Sequence, residues 1–229
     1  MKKRLVVLTG AGISAESGIR TFRDMDGLWE EYDVMEVASV DGWSKNPQLV
    51  LQFYNERRRQ LQKAQPNSGH KALAGAEKDF TVNIITQNVD NLHERAGSTS
   101  VLHLHGELTK AQSTADASQI IDIGYNDISW GNKCGKGHQL RPHIVWFGEA
   151  VPAMDDAIRL AQSAEIFAVV GTSLNVYPAA GLIDYVPRRC PIYLVDPNEV
   201  KVSQRKVTMI KEKASVGIPV MLKMAISNR

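Results

Sequence analysis

Two glycines and an alanine, Gly10, Gly12 and Ala15, fall in the G-x-G-x-x-G/A spacing directly after the apolar run Leu5-Val6-Val7-Leu8. Read as strand, tight turn and helix start, this spacing can cradle a pyrophosphate. The first glycine permits the turn, the second lets the backbone come close to the phosphates, and the small third residue lets the helix pack tightly. The helix N-terminus adds unspent N–H groups and the positive end of a dipole. Glycine pairs after strands recur in any α/β protein, so the spacing alone leaves both a dinucleotide site and an ordinary turn open. An ordinary dehydrogenase also needs an acidic residue at the end of the next strand, about twenty residues on, to hold the adenosine ribose. The acidic residues available, Glu30 and Glu31, follow Gly27-Leu28-Trp29 in a stretch with no strand pattern.

Other chemistry-bearing residues follow apolar runs in the same way. Gln87-Asn88-Val89-Asp90 comes after Val82–Thr86, His105-Gly106 after Val101–Leu104, and Gly171-Thr172-Ser173 after Ile166–Val170. Asn88 can donate and accept, and Asp90 can accept from an amide, although capping the helix that follows is the plainer role for it. With a reference pKa of about 6.5, His105 can take a proton at neutral pH. Its position between a strand and a glycine suits an exposed tip, with His93 and His103 as its nearest rivals. Tyr54 and Arg57, at i and i+3 of a predicted helix, share a face where a guanidinium fork and a phenol could hold a carboxylate. A solvated Arg57-Arg58-Arg59 run beside a half-buried Tyr54 is the plainer alternative.

The elements that must position these residues alternate. Asn46-Pro47 offers a cap and first-turn proline for a helix to about Lys63, with Leu49, Val50, Phe53 and Leu61 on its buried side. Helices are also expected over Ser68–Lys78, Asn91–Ala96, Met154–Ser163, from Pro178, and over Gly217–Ile226; further strands over Ile144–Gly148 and Pro191–Val195. Glu107 to about Arg141 reads as a polar insert carrying little core. Alternating strands and helices imply an α/β fold, a doubly wound, mostly parallel Rossmann-like sheet with a smaller inserted domain and ligands at the strands' carboxyl ends. The polar turns should therefore converge on one crevice.

With 229 residues, 43% of them hydrophobic and 23% charged, the chain can bury a substantial core. A net charge of +2 is too mild to imply nucleic acid or a membrane as a partner, and Lys201–Lys213 reads as solvated surface. No transmembrane-length run or secretory segment is apparent, and two cysteines provide no disulfide framework, so a cytoplasmic location is expected.

The segments GAGISAESGIRTFR, TQNVDNLHERAG, HLHGEL, RPHIVWFGE and GTSLNVYPAAG, in this order, resemble the sirtuins, NAD-dependent protein-lysine deacylases. The resemblance runs from Leu5 to about Asp196 and weakly to Ala214. It implies one catalytic domain over 1–229, with a large part from about 1–24, 66–106 and 150–229 and a small part from about 25–65 and 107–149. It further implies that Gly10, Ala11, Gly12, Ser14 and Ala15 cradle the pyrophosphate. Thr21, Phe22, Arg23 and Trp29 would surround the nicotinamide end, and Gln87, Asn88 and Asp90 the ribose and nicotinamide pocket. Gly171, Thr172, Ser173, Asp196 and Ala214 would complete the NAD site. His105 matches the catalytic base and Asn88 its companion. In the implied reaction the acyl oxygen attacks the anomeric carbon as nicotinamide leaves, His105 deprotonates the ribose hydroxyls, and lysine and O-acyl-ADP-ribose result. NAD is a co-substrate that is consumed.

Tyr54 and Arg57 resemble the sirtuin subclass that removes acidic acyl groups, with Ala38 as the small residue making room for the chain. The acyl-lysine peptide would pair as a strand between Val145-Trp146-Phe147-Gly148-Glu149 and Leu174-Asn175-Val176-Tyr177. Two departures stand out. The Cys pairs that hold zinc in most sirtuins are reduced to Cys134, so no structural zinc is expected. Leu194-Val195-Asp196-Pro197 also lacks the usual adenosine-ribose asparagine unless Asn198 replaces it. A non-catalytic NAD or ADP-ribose sensor and a mono-ADP-ribosyltransferase are the alternatives.

Overall fold

The apolar run that opens the chain forms β1 (Arg4–Thr9), five of whose six residues are buried. In the computed structural model, which describes residues 2–19, 28–29 (backbone only), 32–200 and 205–227, the chain continues through α1 (Gly12–Ala15), β2 (Leu28–Trp29), β3 (Tyr32–Asp33), α2 (Val34–Val37), α3 (Val40–Lys45), α4 (Pro47–Lys63) and α5 (Ser68–Gly75). There follow β4 (Thr81–Thr86), α6 (Leu92–Arg95), β5 (Val101–His103), β6 (Gly106–Ser113), β7 (Ile120–Asp122), β8 (Leu140–Ile144) and α7 (Met154–Gln162). The last elements are β9 (Ile166–Val170), a 3-10 segment (Ala179–Tyr185), β10 (Ile192–Val195), β11 (Thr208–Ile210) and α8 (Ala214–Ser227).

Six strands form one parallel sheet in the order β11-β10-β9-β1-β4-β5. The chain leaves β1 toward β4 and β5, then returns to build β9, β10 and β11 on the other side. The winding thus reverses between β1 and β9, and the crevice outside their carboxyl ends is the topological switch point. Alternation along β1 divides the core. Leu5 and Val7 pack under α5 and α8 with Leu73, Ile84, Ile218 and Met221, whereas Val6 and Leu8 face α7 and the 3-10 segment with Ala157, Phe167 and Leu182. Each such aliphatic side chain contributes about 1.5–3 kcal/mol by leaving water. No helix among the described residues is long and apolar enough to cross a membrane.

The smaller part centres on α4 and the antiparallel sheet β7-β6-β8. Asn46 caps α4 by accepting from Leu49 N–H, with Pro47 in the first turn. Its buried face places Val50, Phe53, Tyr54 and Leu61 against Val37, Leu108, Ile144 and Trp146. An aromatic ladder runs through it: Trp130 to Trp43 at 6.4 Å between ring centres, Trp43 to Trp146 at 5.4 Å, and Trp146 to Tyr54 at 6.4 Å.

Several expectations need correction. The segment after Glu107 is no coreless insert: β6 buries Leu108, Thr109, Ala111 and Ser113, and Ala111 packs with Leu51 and Ile128. The strand expected over Ile144–Gly148 ends at Ile144 because it pairs with β6 earlier in the chain, while Phe147 bridges to Ser39 instead. After Pro178 the chain forms a 3-10 segment, and the basic stretch before α8 contains the edge strand β11 with Ile210 buried. Arg57 and Arg58 are 8% and 0% exposed, so only Arg59 of that run is solvated. Arg58 donates Nε–H to Leu108 C=O at 2.7 Å, and burial lowers its pKa to about 10.

One glycine of the smaller part is fixed by close approach. Gly106 has φ +80°, and a Cβ there would lie 2.1 Å from the His143 carbonyl oxygen. Gly106→Ala is expected to destabilise the fold by about 3 kcal/mol in urea unfolding; an unchanged midpoint would contradict the crossing described. A second expectation concerns His70 and His93, both fully buried with ring centres 4.9 Å apart. Burial pushes His70 from 6.5 down to about 4 and His93 well down too. The unfolded chain then binds more protons below pH 6.5, so stability should hold above that pH and fall as pH drops toward about 4. Denaturant midpoints across this window, with His70→Leu flattening the slope, check it.

Candidate active site

At the switch point the turn after β1 meets the turn after β9. Gly10 N–H donates to Val170 C=O at 3.0 Å and Gly12 N–H to Gly171 C=O at 2.9 Å. A Cβ on Gly12 would lie 2.6 Å from Gly171 Cα, and one on Gly171, where φ is +62°, 2.5 Å from Ile13 N. The glycines are thus demanded by each other. This corrects the expectation of several unspent N–H groups. Ile13, Ser14 and Ala15 donate to Gly10 or Ala11 carbonyls, and the four-residue α1 is too short to add much dipole. Among the described residues only the Ala11 N–H in this turn has no hydrogen bond.

Side chains from the β4 turn close one wall. Asn88 Nδ2 donates to Gly10 C=O and to Ser14 Oγ, both at 3.1 Å. Ser14 Oγ in turn donates to Asp90 Oδ2 at 2.9 Å, and Asp90 Oδ1 accepts from Leu92 N–H at 3.1 Å. Asp90, one residue ahead of the N-cap Asn91, therefore holds the first N–H of α6 and joins the polar network at once. Burial raises its pKa, with the Leu92 and Ser14 bonds opposing that shift. Gln87 Nε2 donates to Thr172 Oγ1 at 3.2 Å, tying the β4 turn to the β9 turn; Ser173 follows, half-buried.

His105 sits where β5 turns into β6. Its Nδ1 lies 3.0 Å from Gln87 C=O, so Nδ1 carries the proton and the neutral Nε2 is the basic nitrogen. Among the described residues Nε2 has no partner. Burial lowers the pKa, opposed by the bond to Gln87. The rivals are occupied. His93 is buried beside Thr9 Oγ1 at 3.2 Å from its Nε2. Both nitrogens of His103 have acceptors, Asn88 C=O at 3.0 Å and Glu94 Oε1 at 2.9 Å. Alternation in His103-Leu104-His105 was the available signal that both rings face the same turn.

A small cavity of about 30 Å³ opens beside Asp90, walled also by Arg57, Gln60, Leu61, Val89 and Leu108. Tyr54, 2% exposed, accepts a hydrogen bond from Trp146 Nε1 at 3.1 Å; burial raises its pKa, opposed by that bond and by the nearby charge of Arg57. Trp146 is clamped by Arg141, whose guanidinium lies 3.5 Å over its ring and pairs with both oxygens of Glu149. Sequence alone did not reveal this clamp. Ala38 is buried, and its carbonyl accepts from Phe147 N–H at 2.9 Å. Val145 N–H goes to His105 C=O, while Phe147, Gly148 and Val176 are exposed.

Asp196 is buried and accepts from Asn198 N–H at 2.9 Å, leaving the Asn198 side chain on an exposed turn. Ala214 begins α8, whose Ser215 is held by Glu16 just past α1. Thr21, Phe22 and Arg23 lie outside the described residues, and Trp29 is described in backbone only. Cys134 lies 3.4 Å from Ser113 Oγ, and among the described residues no three His, Cys, Asp or Glu side chains are grouped to hold a metal.

The model of the Sir2 family matches residues 10–178. An NAD-dependent protein deacylase of Bacteroides thetaiotaomicron is 53% identical over 223 residues, covering 94% of this chain and 95% of the relative. One of Helicobacter pylori strain 26695 is 57% identical over 195 residues, 85% of each. Among solved structures, a Sir2 homolog–NAD complex aligns with TM-score 0.88 and 39% identity over 99% of this chain and 91% of that one. Sir2 bound to an acetylated peptide aligns with TM-score 0.82 and 28% identity over 98% and 94%. With a family model matching most of its length and relatives above half identity across nearly all of it, the chain belongs to the Sir2 family, the sirtuins.

Proposed function

We propose that this sirtuin is an NAD-dependent protein-lysine deacylase that prefers succinyl and malonyl groups and also accepts acetyl. NAD-dependent protein deacylase is the name borne by relatives from 48% to 57% identical. The crevice suits a dinucleotide: it lies at the switch point, retains the Ala11 N–H, and gathers Gln87, Asn88, Thr172 and Ser173 at its rim. When bound, NAD supplies an electrophilic ribose carbon and a leaving nicotinamide. Asn88, fixed by Gly10 and Ser14, orients the ribose, and Gln87 and Asp90 flank the nicotinamide end. Ser14 holds its neighbours in place; Thr21, Phe22, Arg23, Trp29, Asp196 and Ala214 are assigned by family resemblance. His105 takes the ribose hydroxyl proton on Nε2.

The acidic-acyl preference rests on one observation, a buried cation on α4 that shares a cavity with Asp90. Arg57 and Tyr54 lie inside rather than on a solvated face. A guanidinium at the end of an acyl channel favours a terminal carboxylate, and the phenol, already accepting from Trp146, retains its own O–H to donate. Ala38 leaves room for the longer chain. An extended peptide would pair along Val145–Glu149 and Leu174–Tyr177. Because Phe147 N–H and C=O are spent on Ala38 and Val40, and Val145 N–H on His105, the backbone groups left for such pairing are the Val145 C=O and those of Gly148.

Mass spectrometry of succinylated, malonylated and acetylated peptides with NAD tests the proposal. Arg57→Met should lower desuccinylation kcat/KM by about 10- to 100-fold and leave deacetylation within about 3-fold; no NAD-dependent loss of succinyl by the native protein would sink the preference. His105→Ala should cost about 100-fold or more in turnover, and binding of NAD with no turnover by the native protein would favour the sensor. Since burial lowers the His105 pKa, the acid limb of kcat/KM assigned to His105 should lie below pH 6.5, with activity falling as pH drops through it.

A further inference from the structure

His103 and His105 flank Leu104, and both direct Nδ1 at the same turn: His105 at Gln87 C=O and His103 at Asn88 C=O, each at 3.0 Å. They differ at the other nitrogen. His105 Nε2 has no partner among the described residues, whereas His103 Nε2 lies 2.9 Å from Glu94 Oε1. A carbonyl and an ionised carboxylate can only accept, so both His103 bonds form together only when both ring nitrogens carry protons. The side chain is 8% exposed, leaving little water to satisfy a nitrogen that lost its partner.

The surroundings favour that cation. Around His103 stand Glu94 and His93 on α6, Asp90 ahead of it, Glu107 on β6 with its partner Lys110, and His143 on β8. Burial opposes charge on His103, but the Glu94 hydrogen bond and charge outweigh it and raise its pKa. Glu94 likewise is held below its usual range by His103 despite burial. If the ring lost a proton, its remaining N–H would go to the carboxylate, the stronger acceptor, and Asn88 C=O would be released.

We propose that His103 is a positioning residue that acts as an imidazolium: clamped between Asn88 C=O and the Glu94 carboxylate, it fixes the turn that presents Asn88 and orients His105. The inference rests on the reading of His105 and Asn88 as working groups of the deacylase. Glu94→Gln keeps an acceptor for Nε2–H but removes the charge that outweighs burial, so the pKa of His103 should fall. Initial rates of the full chain with NAD and an acetylated peptide, at about pH 6 and near neutral pH, give the readout. The Glu94→Gln rate relative to the native enzyme should be about 10-fold lower near neutral pH, where the native ring is still charged and the variant ring is not, and the deficit should narrow as the pH is lowered. His103→Gln should be about 10-fold slower at both, with a flat ratio.

Long-range nitrogen–proton NMR of the native protein, with the His103 ring signals assigned by His103→Gln, should show protons on both ring nitrogens near neutral pH. A neutral single tautomer there, or a Glu94→Gln enzyme as fast as the native one near neutral pH, overturns the proposal. The ring spectrum decides the clamp even in a protein without turnover, so loss of the deacylase reading and loss of this inference remain distinguishable.

Discussion

Everything at this site depends on two glycine turns touching. Gly10 and Gly12 end β1, Gly171 ends β9, and their backbones pack so closely that a single methyl on Gly12 or Gly171 would reach 2.6 Å or less from a backbone atom of the other turn. That contact fixes the carboxyl ends of the two central strands relative to each other at the point where the winding reverses. The walls of the crevice are then hung from it: Asn88 from the Gly10 carbonyl, Gln87 from Thr172. The glycine motif therefore acts first as a joint within the protein and only then as a surface for a ligand.

The polar groups around this joint are buried and solve their desolvation problem in pairs. Ser14, Asn88 and Asp90 satisfy one another and the backbone, and no member could be removed without leaving a neighbour's donor or acceptor unmet. His103 and Glu94 repeat the arrangement with opposite charges. His70 and His93 do the reverse, remaining neutral in a pocket that gives charge little support. One turn is thus bordered by an imidazolium, a neutral basic histidine and a buried neutral pair, distinguished only by which acceptors each ring meets.

Much of this was legible from residue types. The apolar runs of β1, β4, β9 and β10 announced a parallel core, and Asn46-Pro47 announced the start of α4. What escaped did so for identifiable reasons. Apart from Leu108, strand β6 buries only glycine, threonine, alanine and serine, too little hydrophobic pattern to reveal it. The burial of Arg57 and Arg58 depends on β6 and the segment around Asp127 and Ile128 closing over α4, contacts about fifty or more residues away in sequence. Position and resemblance singled out His105, but what His93 and His103 do could be read only from their partners, because the three histidines occur within thirteen residues of one another.

The aromatic ladder separates the two parts of the molecule optically. Trp29, Trp43, Trp130 and Trp146 are the four tryptophans of the sequence, and none lies in a strand of the six-stranded sheet or in the helices α5, α7 and α8 that cover it. The indoles of Trp43, Trp130 and Trp146 therefore observe the α4–β6 side of the protein, whereas amide circular dichroism observes the whole chain. Whether the two signals disappear together or in sequence is a direct measure of how tightly the smaller part is bound to the six-stranded sheet.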